Sequence, residues 1–148
     1  MINNSSDIML KLQDTINFLT DQESIYDIIL KKSNIKVGVI EFRVWINERD
    51  YYMSDVGYYI EPAYRGNALA YYACIKLFDF IKKDMNIKEV FISCSPENIP
   101  SYKTLLKLNG TLIATKKVPK DHILYYRDEK IKHIFYFDLT KEAYEVSI

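Results

Sequence analysis

The chain has 148 residues, the size of one ordinary domain, and its 49% hydrophobic and 27% charged residues make a globular rather than a disordered composition. Lys+Arg and Asp+Glu both count 20, so the formal charge is zero, and a nucleic-acid partner, which selects for a basic surplus, is not expected. No apolar run approaches the ~20 residues that span a bilayer and no charged-then-apolar leader opens the chain, so the expectation is one soluble, cytoplasmic domain over residues 1–148 with no membrane partner.

The first two dozen residues carry two patterns. Ile8, Leu10 and Leu12 alternate as a strand does, whereas Leu12, Ile16 and Leu19 keep helical spacing, so a short strand followed by a short helix is expected. Ser24 to Lys32 reads as a strand, Ser33-Asn34 as a turn, and Ile35 to Ile46 as the hairpin partner. Gly38 inside that partner predicts a bulge or a close backbone approach. Asn47 to Ser54 is a polar loop, and Asp55 to Ile60 is the next strand, which Pro62 ends because proline has no N–H for a ladder. Leu69, Ala73, Leu77, Phe80 and Ile81 then recur at helical spacing, predicting a helix from about Ala68 to Met85. A buried strand from Glu89 to Cys94, a helix from about Pro100 to Leu108, and strands from Thr111 to Val118 and Ile131 to Leu139 complete the order. Asn109-Gly110 suits a left-handed helix end, and the segment PKDHILYYRDEK reads as a polar connection. The fold class is therefore α/β, with the strand–helix–strand unit from Asp55 to Cys94 expected to set its two strands side by side and parallel.

With only four glycines and four prolines, against about ten and seven at average usage, each glycine marks a backbone requirement. Cys74 and Cys94 have no metal-ligand spacing and form no disulfide framework, so no metal is expected.

The segment IEPAYRGNALA, residues 60–70, carries the strongest chemical signal. A strand ends at a proline, a loop bears Arg65 and Gly66, and a long helix starts at once. Unpaired backbone N–H groups and the positive end of a helix dipole then converge on one spot, with a guanidinium beside them. That chemistry fits a phosphate or diphosphate; an ordinary strand-to-helix turn with a surface arginine is the plain alternative.

The same segment resembles motif A of the GCN5-related N-acetyltransferases (GNAT), in which (Arg/Gln)-x-x-(Gly/Ala)-x-(Gly/Ala) wraps the pyrophosphate of acetyl-CoA. Arg65, Ala68 and Ala70 occupy its three positions, with alanine at 68 departing from the commoner glycine. SCSPENIPSYKTLLKLNG, residues 93–110, resembles the family's motif B through Asn98, Ser101, Lys107 and Gly110, and VPKDHILYY is similar to a segment of one bacterial branch. The resemblance spans about Ile35 to Leu139. It implies a mixed sheet of six to seven strands, flanked by helices, whose parallel fourth and fifth strands splay apart, with a bulge at Gly57 opening the wedge.

Acetyl-CoA, as co-substrate, is implied to lie in that wedge. Its pantetheine would pair with Tyr58, Tyr59 and Ile60, its diphosphate would sit on the amides of Arg65, Gly66, Asn67, Ala68, Leu69 and Ala70, and Asn98 and Ser101 would complete the site. Asn98 has a second reading as a helix N-cap, and Ser101 is the better cap if Pro100 lies outside the helix. Many relatives carry a tyrosine seven positions after the motif-B asparagine to protonate the departing thiolate. Leu105 stands there in this chain, and Tyr102, three residues earlier and almost one helical turn away, is the candidate to take the role. Glu41 and Asp55 are the candidate bases, with a Glu41–Arg43 salt bridge as the structural alternative. His122 and His133 read as surface and sheet-face residues, and Cys94 as a small apolar group.

The resemblance implies transfer of the acetyl group of acetyl-CoA to a primary amine of a small molecule or peptide, by direct attack in a ternary complex. Three alternatives stand beside it: a catalytically inert CoA-binding module, suggested by Leu105; a protein using the Arg65-Gly66 loop for another diphosphate; and an interaction protein with a tyrosine-rich surface. A short N-terminal portion implies an open acceptor site, which a second subunit of a homodimer would complete.

Overall fold

The computed structural model describes residues 4–141. Strands β1 (Ile8–Asn17), β2 (Asp21–Leu30), β3 (Ile35–Trp45) and β4 (Val56–Ile60) form one antiparallel sheet in chain order. Helix α1 (Leu69–Asp84) leads into β5 (Glu89–Cys94), α2 (Ile99–Lys107), β6 (Thr111–Lys117), α3 (Ile123–Tyr126) and β7 (Ile131–Asp138). Strands β5, β7 and β6, in that spatial order, form a second antiparallel sheet. Single 3₁₀ turns precede β1 (Ser5–Asp7) and follow β4 (Pro62–Tyr64). Among the described residues no helix is long and apolar enough to cross a membrane.

The predicted N-terminal helix is absent. β1 pairs with β2 from Ile8–Leu30 to Asn17–Gln22, with a register shift at Gln13. The shift breaks the apolar alternation halfway, and Leu19 lies beyond the strand with 96% of its surface exposed, so the helical spacing had no buried face behind it. Gly38 behaves as its sequence context requires. A register shift against β2 falls beside it, and a Cβ there would come within 2.2 Å of the Tyr59 carbonyl oxygen on β4.

The expected parallel pairing of β4 with β5 is corrected. No ladder joins them among the described residues. The sheets meet instead at a short polar seam just before β4. The Asp55 N–H donates to the Phe91 carbonyl at 2.8 Å, and the Asp55 carboxylate accepts the Phe91 N–H at 2.8 Å. The Ser54 hydroxyl takes the Ser93 N–H at 3.0 Å. Side chains thus satisfy the Phe91 and Ser93 N–H groups that a ladder to β4 would have used.

α1 seals the molecule over both sheets. Its apolar positions bury Leu69, Ala73, Cys74, Leu77, Phe78 and Ile81, and Phe78 packs on Phe137 of β7 with ring centroids 5.3 Å apart. On the other side Phe80 meets Tyr26 of β2 at 6.0 Å. Each large side chain fully buried this way contributes about 1.5–3 kcal/mol of transfer free energy. α2 adds the fully buried Leu105, followed by Leu108. Asn109 is left-handed at φ 64°, as the helix end demands, whereas Gly110 is required for space: a Cβ would lie 2.5 Å from the Phe137 ring. The connection after β6 contains the short α3, which its polar composition did not reveal.

Candidate active site

β4 is the edge strand of the first sheet, so its outer backbone faces away from β3 and is open to a ligand. Past its end, Gly66 (φ 84°) and Ala68 (φ 57°) are both left-handed, and α1 begins at the next residue without a side-chain cap. The backbone N–H groups of Gly66 to Ala70 donate to no other described residue. Five unpaired donors, two left-handed bends and the positive end of a 16-residue helix make a concave cradle for an anion. Arg65 is held beside it, its Nε donating to the Ile60 carbonyl at 2.8 Å and its guanidinium lying 5.2 Å from the Tyr59 ring centroid. Its two terminal nitrogens are left for a ligand. Asn67 pins the loop by donating to the Tyr64 carbonyl at 3.1 Å.

The left-handed backbone at Ala68 explains why glycine is the commoner residue in this motif. A residue with a Cβ there stores about 1–2 kcal/mol, strain of a kind that concentrates at functional sites.

A cavity of about 580 Å³ opens over this cradle, walled by Tyr58, Tyr59, Ile60, the loop from Tyr64 to Ala70, and Asn98, Pro100, Ser101 and Thr104 of α2. A second cavity, of about 370 Å³, lies along the first half of β4, between Glu41, Arg43, Gly57, residues 52–54, Ser93, Cys94 and the segment after α3. Tyr58, Asn98 and Ser101 belong to both walls. Between the cavities the Tyr58 hydroxyl and the Ser101 hydroxyl share a 2.7 Å hydrogen bond, tying β4 to α2. Burial pushes the Tyr58 phenol well above its ordinary range, with Cys74 adding to the effect, so it stays protonated and remains a hydrogen-bond donor.

The predicted cofactor residues Tyr58, Tyr59, Ile60, Arg65, Gly66, Ala68, Leu69, Ala70, Asn98 and Ser101 therefore line one cavity, and Asn67 braces its loop. Asn98, not Ser101, is the N-cap of α2: its Oδ1 accepts the Ser101 N–H at 3.3 Å, because Ile99 and Pro100 are already helical.

The catalytic candidates separate. Glu41 lines the second cavity with its carboxylate laid over Gly57, where a Cβ would come within 2.8 Å of Oε1. That is the role of Gly57, and the predicted bulge is absent, since the β3–β4 register runs unbroken from Gly38–Ile60 to Phe42–Val56. The Glu41–Arg43 bridge is absent too. Arg43 instead pairs with Asp21 at 3.0 Å and Glu23 at 3.2 Å and donates to the carbonyls of Met53 and Ser54. Asp55 is buried with its carboxylate fully engaged by Trp45 Nε1 at 2.7 Å, the Phe91 N–H and Arg49, which makes it a structural group of the seam. Tyr102 faces β7, its ring against His133 and Phe135 at centroid distances of 5.3 and 5.6 Å, and it lines neither cavity.

Cys94 lines the second cavity, and burial raises its thiol above the usual range; Cys74 is pushed up to about 12 in the core. His122 is no loose surface residue. Its Nε2 lies 2.6 Å from Asp50 and its Nδ1 accepts the Leu124 N–H at 3.0 Å, which bolts the 47–54 loop to α3. Sequence reasoning passed over Arg127, Glu129 and Lys132, which wall the second cavity from a segment whose charged run reads like any solvated loop. Among the described residues no group of three or more His, Cys, Asp or Glu is placed to hold a metal ion.

A family model described as an acetyltransferase (GNAT) domain matches residues 5–111. An uncharacterized N-acetyltransferase, YnaD of Bacillus subtilis (strain 168), is 28% identical over 88 residues, 60% of this chain and 50% of that protein, so the chain spans about half the length of this curated relative. Among solved structures, a GNAT-family acetyltransferase from Bacillus anthracis superposes with a TM-score of 0.63 at 21% identity, over 79% of this chain and 67% of that one. The spermidine N-acetyltransferase of Vibrio cholerae gives 0.66 at 11% identity over 92% and 96%. The microcin C7 self-immunity acetyltransferase MccE, solved with acetyl-CoA and AMP, gives 0.59 at 23% over 78% and 61%. At these identities the solved structures speak for the fold, and the family-model match, across well over half of the chain, speaks for descent: this chain belongs to the GNAT acetyltransferase family.

Proposed function

We propose that the protein transfers the acetyl group of acetyl-CoA to a primary amine held in the second cavity, by direct attack within a ternary complex. The observation that carries the reading is that two cavities, one over an anion cradle and one lined by an unpaired carboxylate, share the wall of Tyr58, Asn98 and Ser101. The cradle from Gly66 to Ala70 and Arg65 fits the diphosphate, and the open edge of β4 fits the pantetheine amides. The parallel splay of β4 and β5 belongs to the same proposal, with the thioester at the shared wall.

In the reaction the amine nitrogen attacks the thioester carbonyl carbon, the carbon–sulfur bond breaks, the amine loses a proton and the sulfur gains one. Glu41, beside Gly57 and one residue from Tyr58, is the group placed to accept the amine proton, directly or through a water. The Tyr58 hydroxyl, a persistent donor at the shared wall, is placed to stabilise the developing oxyanion or to donate toward sulfur. Tyr102 has no comparable access. Asp55 supports the junction and moves no proton.

Calorimetric titration with acetyl-CoA, with ATP and NAD as controls, followed by steady-state acetylation of an amine panel, tests the proposal. Selective acetyl-CoA binding with turnover above background is expected. Binding without turnover leaves the inert CoA-binding module that Leu105 suggests, and preference for ATP or NAD overturns the cofactor assignment.

A further inference from the structure

The charged groups around the second cavity identify the class of amine that fits it, an inference that rests on the acetyltransferase reading for the word acceptor. Most of them are spent on one another. Every nitrogen of Arg43 is engaged by Asp21, Glu23 or the carbonyls of Met53 and Ser54. Lys132, buried to 7% exposure, pairs with Glu129 at 2.6 Å. His122 and Asp50, behind the wall, hold each other.

Two lining charges are left over. Neither the Glu41 carboxylate nor the Arg127 guanidinium forms an ion pair or side-chain hydrogen bond among the described residues, and they are not within ion-pairing reach of each other. They come from separate elements, Glu41 from β3 and Arg127 from the turn closing α3. One cavity thus presents one unspent negative charge and one unspent positive charge. Its volume of about 370 Å³ is near the lower end of the roughly 300–1,000 Å³ usual for small-molecule pockets.

We infer that the acceptor is a compact amine that also carries an oxyanion group, with its amine toward Glu41 and its oxyanion in the fork of Arg127. A planar guanidinium fork matches carboxylate and phosphate oxygens two at a time, and the pair left open on this half-open cavity, with Glu41 half-buried and Arg127 exposed, is complemented by a ligand bearing both signs. A diamine of the same length would set its second ammonium against Arg127, a like-charge contact that selects against it.

Matched pairs test this. Lysine against cadaverine and ornithine against putrescine differ by one carboxylate, and phosphoethanolamine against ethylamine by one phosphate. Each is titrated calorimetrically into the full chain saturated with CoA, and each is assayed for kcat/KM with acetyl-CoA. The anionic member of at least one pair is expected to bind tenfold or more tightly, and the pair with the larger ratio tells carboxylate from phosphate. Arg127→Gln is expected to bring that ratio close to one, with Arg127→Lys retaining part of it. Equal or weaker binding of every anionic member, no binding by any of the six, or a ratio unchanged in Arg127→Gln overturns the inference. Absence of turnover with every amine overturns the acetyltransferase reading instead, since the binding ratios are read without chemistry.

Discussion

Glu41 and Gly57 work as a unit, because the carboxylate lies where any Cβ on residue 57 would have to sit. Gly57→Ala is therefore expected to displace the flexible end of Glu41 while the β3–β4 register persists. Stability should change by less than about 1.5 kcal/mol, the range of tolerated small repacking, and turnover should fall at least tenfold. Glu41→Gln should lower turnover at least as far with acetyl-CoA affinity retained, as measured by steady-state kinetics beside calorimetry; full activity in both variants would remove Glu41 from proton transfer. Tyr58→Phe keeps the ring in the shared wall and deletes the hydroxyl. It is expected to reduce kcat on the order of 10²-fold, the scale of losing one preorganised donor. Tyr102→Phe is expected to leave kcat within about twofold, since that ring packs against His133 and Phe135.

At the scale of elements, the β4–α1 turn carries its own balance of strain and function. Ala68→Gly releases the left-handed penalty of about 1–2 kcal/mol and returns about 0.4–1 kcal/mol to the unfolded chain's entropy. A net gain of about 0.5 kcal/mol is expected, visible as a higher urea midpoint. The gain checks that the backbone at this position holds φ near 57° in solution. Arg65→Glu removes a charge-assisted contact and sets a carboxylate against the cradle, so acetyl-CoA affinity should fall by 10- to 100-fold, in line with about 1.5–3 kcal/mol for charged hydrogen bonds. Unchanged affinity would take the turn out of the cofactor site. Most of these elements were legible in the sequence. β5 runs from Glu89 to Cys94 as read, and α1 differs from its expected span by one residue at each end, because burial on one face of a long segment leaves a periodic trace. β1 and α3 were misread for the converse reason. β1 is interrupted by a register shift that scrambles alternation, and the four residues of α3 are too few to show any period.

The whole molecule depends on the seam where two sheets touch without sharing a ladder. Asp55 is its hub, accepting from Trp45, Phe91 and Arg49 while its own N–H reaches across to the Phe91 carbonyl. Asp55→Ala leaves those half-buried donors without their acceptor and is expected to cost about 3 kcal/mol, the upper end for leaving polar groups unpaired. That is a large fraction of the 5–15 kcal/mol typical of a domain, so urea denaturation should show an early or broadened transition. Because Ser54 and Ser93 of the seam also line the second cavity, that cavity should be perturbed with it.

The sequence by itself determined the α/β class, the order of elements from β2 to β7 except for α3, the strand–loop–helix turn from Ile60 to Ala70, and the family. Each of these is written in local spacing, in glycine and proline placement, or in a contiguous motif. Only the tertiary structure decided which polar groups are spent and which are free. Asp55 and Glu41 look alike as carboxylates in a sequence, yet one is buried among three donors and the other faces a cavity with none. Tyr102 and Tyr58 are likewise equivalent on paper, and a hydrogen bond to Ser101, 43 residues away, places one of them at the shared wall. Arg127 meets Glu41 across one cavity from 86 residues further along the chain. A local motif is read from neighbours in sequence. The state of a charged side chain is set by neighbours in space, and no spacing rule carries that information before the chain has folded.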